Sequence, residues 1–86
     1  MSRYEVIVTG RARKFIERLE QRDRARIITA LRLLELEPRP RQVARLSDTG
    51  EYRVRVGDYR IIYEINDRVL VVKVVRVGHR HEVYRP

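Results

Sequence analysis

Eighty-six residues, 43% of them hydrophobic, make one small domain and carry too many apolar side chains for a disordered chain. The absence of cysteine excludes disulfides and thiolate metal sites; no apolar run is long enough to span a bilayer and no signal-peptide pattern opens the chain, so a cytoplasmic protein is expected. Twenty Lys and Arg against 12 Asp and Glu leave a net charge of +8, and all but Lys14 and Lys73 of these cations are arginine, a balance suited to a polyanion or an acidic protein partner.

Tyr4 to Thr9 is enriched in β-branched residues and reads as a first strand, interrupted by Thr9-Gly10, where Thr9 is a candidate helix cap. From Arg11 to Glu20 the apolar positions Ala12, Phe15, Ile16 and Leu19 recur at spacings of three and four, which is one face of a helix. Asp23 to Glu37 repeats the pattern with Ile27, Ala30, Leu31 and Leu34; Asp23 is the expected N-cap and Pro38 the stop. The short polar step at Gln21-Arg22 makes the two an antiparallel helical hairpin. Pro38-Arg39-Pro40 is a rigid connector, Val43 to Leu46 a brief strand or turn, and Asp48-Thr49-Gly50 a turn. From Glu51 the period becomes two, and Val69 to Val77 is a nearly continuous apolar run, as in a strand buried on both faces. The expected fold class is α+β: an N-terminal strand, a two-helix hairpin, then an antiparallel sheet of three or four strands, all in a single domain, 1–86.

Gly57-Asp58 suits a two-residue hairpin turn with positive φ at glycine. It sets Tyr52 opposite Tyr63, Val54 opposite Ile61 and Val56 opposite Tyr59 on an apolar face. On the other face Arg55 meets Arg60, and Arg53 meets Ile62. A second two-residue turn at Asn66-Asp67 would place Lys73 opposite Arg60, completing a transverse row Arg55–Arg60–Lys73. Like charges facing each other in a sheet are destabilising. A solvated face in an arginine-rich chain is one explanation; a phosphate that supplies the missing negative charge is the one favoured here, because guanidinium forks match phosphate oxygens.

His79 and His81, the only two histidines, flank Arg80 just after Gly78, and Tyr84 follows. Cleavage of RNA by its own 2′-hydroxyl needs a base for that hydroxyl, an acid for the departing 5′-oxygen and cations around the phosphorane. Histidine and tyrosine move protons and arginine holds charge, so no metal or other cofactor is required.

The stretches Tyr52-Arg53-Val54-Arg55-Val56-Gly57-Asp58-Tyr59-Arg60-Ile61-Ile62-Tyr63-Glu64 and Val77-Gly78-His79-Arg80-His81-Glu82-Val83-Tyr84-Arg85, with the connector from Pro38 to Leu46, resemble the RelE/ParE superfamily of type II toxins, and within it the RelE-like mRNA interferases. The resemblance covers nearly the whole chain and implies a microbial-RNase-like architecture. It implies that Arg60 binds phosphate, that Arg80 is a second active-site arginine, and that Tyr84 contributes to cleavage or stacks on a base. Arg53 and Arg55 match positions that are lysine in the best-known RelE-type enzymes. Arginine keeps that charge but is effectively never neutral, so the general base falls to His81, His79 or Tyr84. The expected catalytic set is therefore Arg53, Arg55, Arg60, Arg80, His81 and Tyr84, and the expected RNA-binding set Arg53, Arg55, Arg60, Lys73, His79 and Arg80. The resemblance further implies ribosome-dependent cleavage of mRNA in the A site and neutralisation by a cognate acidic antitoxin. The alternative is a ParE-like toxin that inhibits DNA gyrase without cleaving RNA.

Overall fold

One hydroxyl ends the first strand and starts the first helix. Thr9 Oγ1 accepts from the Ala12 amide at 3.3 Å, the cap expected from the sequence, and donates to the Val75 carbonyl at 3.1 Å. These residues belong to a computed structural model that describes residues 3–40, 44–46 and 50–79. Its elements are β1 (Glu5–Val8), α1 (Gly10–Glu17), α2 (Gln21–Leu36), β2 (Ala44–Leu46), β3 (Glu51–Val56), β4 (Tyr59–Asn66) and β5 (Val71–His79).

The helical hairpin forms as the apolar spacing requires, with one change at its turn. α2 begins at Gln21 with Glu20 as an N-cap that makes no side-chain bond, so Asp23 is not the cap. Asp23 sits in the first turn, where its carboxylate favours the positive end of the helix dipole, and it accepts from the Tyr59 hydroxyl at 3.0 Å instead. A tertiary donor has taken the side chain that local pattern assigns to capping. Arg24 Nη1 donates to the carbonyls of Glu17 and Leu19, satisfying acceptors that the end of α1 would otherwise leave open. Glu37 closes α2, and Pro38, which has no amide hydrogen, cannot extend it.

The sheet has five strands in the order β1-β5-β4-β3-β2. β2 to β5 form the expected antiparallel meander, and β1 joins it parallel to β5. Ala12, Ile16, Ile27 and Leu34 pack from the helices onto Val54, Ile61, Tyr63, Val72, Val74 and Val77, so one face of the sheet is covered by α1 and α2. Truncating a side chain as fully enclosed as Leu34 to alanine costs about 2–5 kcal/mol, transfer plus cavity. Tyr63 belongs to the same core, and its hydroxyl donates to the Pro38 carbonyl at 2.7 Å, tying the sheet to the end of α2. Burial pushes that hydroxyl well above the usual phenol range.

The β3–β4 hairpin has the expected register, with Gly57 at φ +60 in the turn. The β4–β5 hairpin does not. Its turn runs over Asp67, Arg68, Val69 and Leu70, with Leu70 at φ 56, and Asn66 pairs with Val71. A bulge then inserts Val75, so that Tyr63 faces Val74 while Ile62 faces Arg76. The longer turn is held from outside the hairpin. Asp67 accepts a two-pronged ion pair from Arg39 at 3.1 and 2.9 Å and a hydroxyl bond from Tyr4 at 2.6 Å, while Asn66 Oδ1 accepts from the Arg68 amide. Arg39 and Tyr4 together hold the Asp67 carboxyl below its ordinary range. Val69 is consequently exposed in the turn rather than buried in a strand.

Candidate nucleic-acid interface

Alternation along β3, β4 and β5 sends every second side chain away from the helices. Val54 and Ile61 lie in the core, so Arg53, Arg55, Arg60 and Ile62 belong to the open face. Arg55 stands directly opposite Arg60, and Arg60 is opposite Gly78 on its other side. One pair further along, Ile62 lies between Arg53 and Arg76. Four arginines from three strands thus surround one isoleucine. Ile62 is only 3% exposed although it lies outside the helix-covered core; the neighbouring arginine stems are the kind of apolar cover that long cationic side chains provide. Arg60 is half-buried with its Nη1 out of contact with solvent, and Arg55 Nε is braced on the Gly57 carbonyl at 3.1 Å.

This geometry changes the expected site in two places. Lys73 does not face Arg60; it faces Glu64, a cross-strand position of opposite charge, and it borders Ile7 of β1. The place foreseen for it, opposite Arg60, is held by Gly78, which has no side chain; the further cation of the cluster is Arg76, one pair along and opposite Ile62, which reading the sequence missed. A signal was present: the register that sets Lys73 against Glu64 avoids one like-charge pair, and it requires a turn longer than two residues.

His79 is also displaced from the arginine face. It lies opposite Tyr59, in phase with Val77 on the helix side of the sheet, with ring centroids 4.9 Å apart. Tyr59 in turn meets Phe15 edge-on at 6.0 Å. Burial first, and the Asp23 carboxylate second, raise the Tyr59 hydroxyl above the usual phenol value. Arg80, His81 and Tyr84 lie outside the described residues. Among the described residues no cluster of three or more His, Cys, Asp or Glu is placed to hold a metal ion, and no helix is long and apolar enough to cross a membrane.

Chemically, the open face brings planar guanidinium donors from three strands to one side of the sheet, a donor type that matches phosphate oxygens. The fold, a helical hairpin on one side of a five-stranded mixed sheet, is shared with solved toxin structures. The archaeal RelE in its complex with RelB from Pyrococcus horikoshii is 33% identical, with a TM-score of 0.84 over 95% of this chain and 99% of that one. The RelBE2 toxin–antitoxin complex from Mycobacterium tuberculosis gives 32% identity and a TM-score of 0.82, over 95% and 97%. Toxin RelG of Mycobacterium tuberculosis is 34% identical over 84 residues, 95% of this chain and 97% of the relative. Residues 6–84 match the family described as ParE toxin of type II toxin–antitoxin system, parDE. The chain belongs to the RelE/ParE superfamily of type II toxins.

Proposed function

We propose that the protein is a metal-independent endoribonuclease that cleaves mRNA in the ribosomal A site, the toxic arm of a toxin–antitoxin pair. The carrying observation is the opposition of Arg55 and Arg60, with Arg53 and Arg76 flanking Ile62 beside them. In this reading the 2′-hydroxyl attacks the adjacent phosphorus, the 5′-oxygen leaves, and a 2′,3′-cyclic phosphate and a 5′-hydroxyl remain. Arg60 and Arg55 hold the non-bridging oxygens as charge builds, and Arg53 and Arg76 position the flanking backbone. The proton transfers fall to His81 and Tyr84, because the arginines at 53 and 55 are poor bases, and Arg80 adds charge as the family resemblance implies. His79, its ring tilted against that of Tyr59, packs at the end of β5.

A cognate acidic antitoxin is the expected protein partner. The net charge of +8 supports it. So does an apolar groove of about 650 Å³ between α2 and β3, lined by Ala30, Leu33, Pro40, Val54 and Val56, with Leu33 61% exposed. The test is to map 5′ ends of mRNA on translating ribosomes mixed with the purified chain. New ends at A-site codons, lost in Arg60→Ala, support the reading, and intact message overturns it.

A second reading has one observation in its favour: the matching family is described as ParE. There the arginine face would serve a protein rather than RNA. Gyrase-dependent DNA breaks with intact mRNA would select it.

A further inference from the structure

The open face of the sheet continues past Ile62 toward the β4–β5 turn. Alternation along β4 carries Glu64 and Asn66 onto the same side as Arg60 and Ile62, since Tyr63 and Ile65 turn to the core. There the turn borders a concavity of about 450 Å³, whose lining includes Glu64, Asn66, Arg68, Val69, Val71 and Lys73. Val69, 64% exposed, and Val71 give it apolar walls. Glu64 faces Lys73 across the strands, yet no ion pair joins them among the described residues. The Glu64 side chain is exposed, and a carboxylate offers only acceptors. Asn66 Oδ1 already accepts from the Arg68 amide at 3.0 Å, which leaves the N–H donors of its side-chain amide for a ligand. Asp67, the carboxylate of the turn itself, is committed to Arg39 and Tyr4.

We propose that this concavity is a base-reading subsite of the RNA face, selective for guanine. It rests on the RNA reading of the arginine cluster and adds the determinant of base preference. Guanine's pairing edge carries O6, N1–H and the N2 amino group in a row, one acceptor followed by two donors. A donor from Asn66 beside the two oxygens of Glu64 is the complementary row. Adenine and cytosine set a ring-nitrogen acceptor beside their amino group, and uracil flanks its one imino donor with carbonyls. Each of these three therefore turns at least one lone pair toward the carboxylate. Single-stranded RNA leaves that edge open for reading, and the valine walls take the ring. Glu64 lies four residues along β4 from Arg60, roughly 13 Å, so the base read belongs to a nucleotide next to the phosphate that the arginines hold. Lys73 balances the Glu64 charge from β5 and makes no contact with the base.

The experiment titrates the full chain, isotopically labelled, with 2′-O-methyl RNA trinucleotides, whose blocked hydroxyl prevents cleavage. Each is a uridine background with one guanosine, adenosine or cytidine, placed at each position in turn. Guanosine at one position should bind about fivefold tighter than the all-uridine strand and shift the Asn66 side-chain amide and the Val69 and Val71 methyl signals. In Glu64→Gln, a change at an exposed position, that preference should vanish. The all-uridine strand should bind this variant at least as tightly as the parent, because a negative charge has gone. Equal affinity of all trinucleotides, with shifts confined to the arginine cluster, overturns the subsite and leaves the RNA reading standing. A guanosine preference that survives Glu64→Gln overturns the subsite too. If no trinucleotide shifts the arginine cluster, the RNA reading fails by itself. Guanosine 5′-monophosphate then decides the concavity: shifts at Val69 and Val71 that disappear in Glu64→Gln still assign it to guanine, and their absence removes both readings.

Discussion

Arg55 and Arg60 occupy facing positions on β3 and β4, on the side of the sheet that the helices leave uncovered. Like charges in facing positions of a sheet are unfavourable, and an anion bound by both guanidinium groups would offset that cost. Inorganic phosphate should therefore raise Tm by roughly 3 °C through linkage. In Arg55→Gln/Arg60→Gln the same phosphate should do nothing, which differential scanning calorimetry reads directly. For Arg60→Ala alone, cleavage should fall about 100-fold, the scale of losing one charged donor to a developing oxyanion.

Arg76 and Lys73 separate the observed register from the expected one. Arg76→Ala should weaken binding of a short RNA analogue about fivefold, consistent with loss of one charge-assisted contact. Lys73→Ala should leave RNA affinity unchanged and cost a few tenths of a kcal/mol in stability, roughly the value of an exposed cross-strand charge pair with Glu64. Fluorescence anisotropy at fixed salt, with parallel urea melts, distinguishes the two.

Gly57 tests the β3–β4 turn. Its φ of +60 disfavours any other residue, and an added Cβ would lie 3.2–3.3 Å from the Arg26 guanidinium. Gly57→Ala should destabilise by about 1–2 kcal/mol. Adding Arg26→Ala should recover only the steric part, because the backbone strain remains. Chemical denaturation of the single and double variants measures the split.

The ion pair at the β4–β5 turn predicts a dependence on acid. Asp67 is held below its ordinary value, near 3.8, first by the Arg39 hydrogen bonds and then by Tyr4. Its contribution to stability is complete above that ordinary value and is lost as pH falls through the lowered one. A Tm–pH curve for Asp67→Asn should therefore lie below the parent near neutrality and converge with it at the acid end. Parallel curves would remove Asp67 from the account.

Much of the molecule was legible in local pattern. The Thr9 cap, the apolar stripes of both helices, Pro38 as a stop and the Gly57-Asp58 turn are each decided within a few residues of chain, and the structure realises all of them. Arg53, Arg55 and Arg60 followed from that turn, because a two-residue hairpin sets every facing pair after it. Asp23 was misread as a cap because its partner, Tyr59, is thirty-six residues away.

What the sequence by itself determined is therefore the helical hairpin, the β3–β4 register and three arginines of the open face. What only the tertiary structure decided is the partner of each residue on β5: Lys73 against Glu64, Arg76 beside Ile62, and His79 against Tyr59. The physical reason is the range of the forces. A glycine turn stores its instruction in its own backbone, whereas the β4–β5 turn is set by Arg39 and Tyr4 closing on Asp67, and the bulge at Val75 lies where Thr9 takes the carbonyl of β5 as β1 ends.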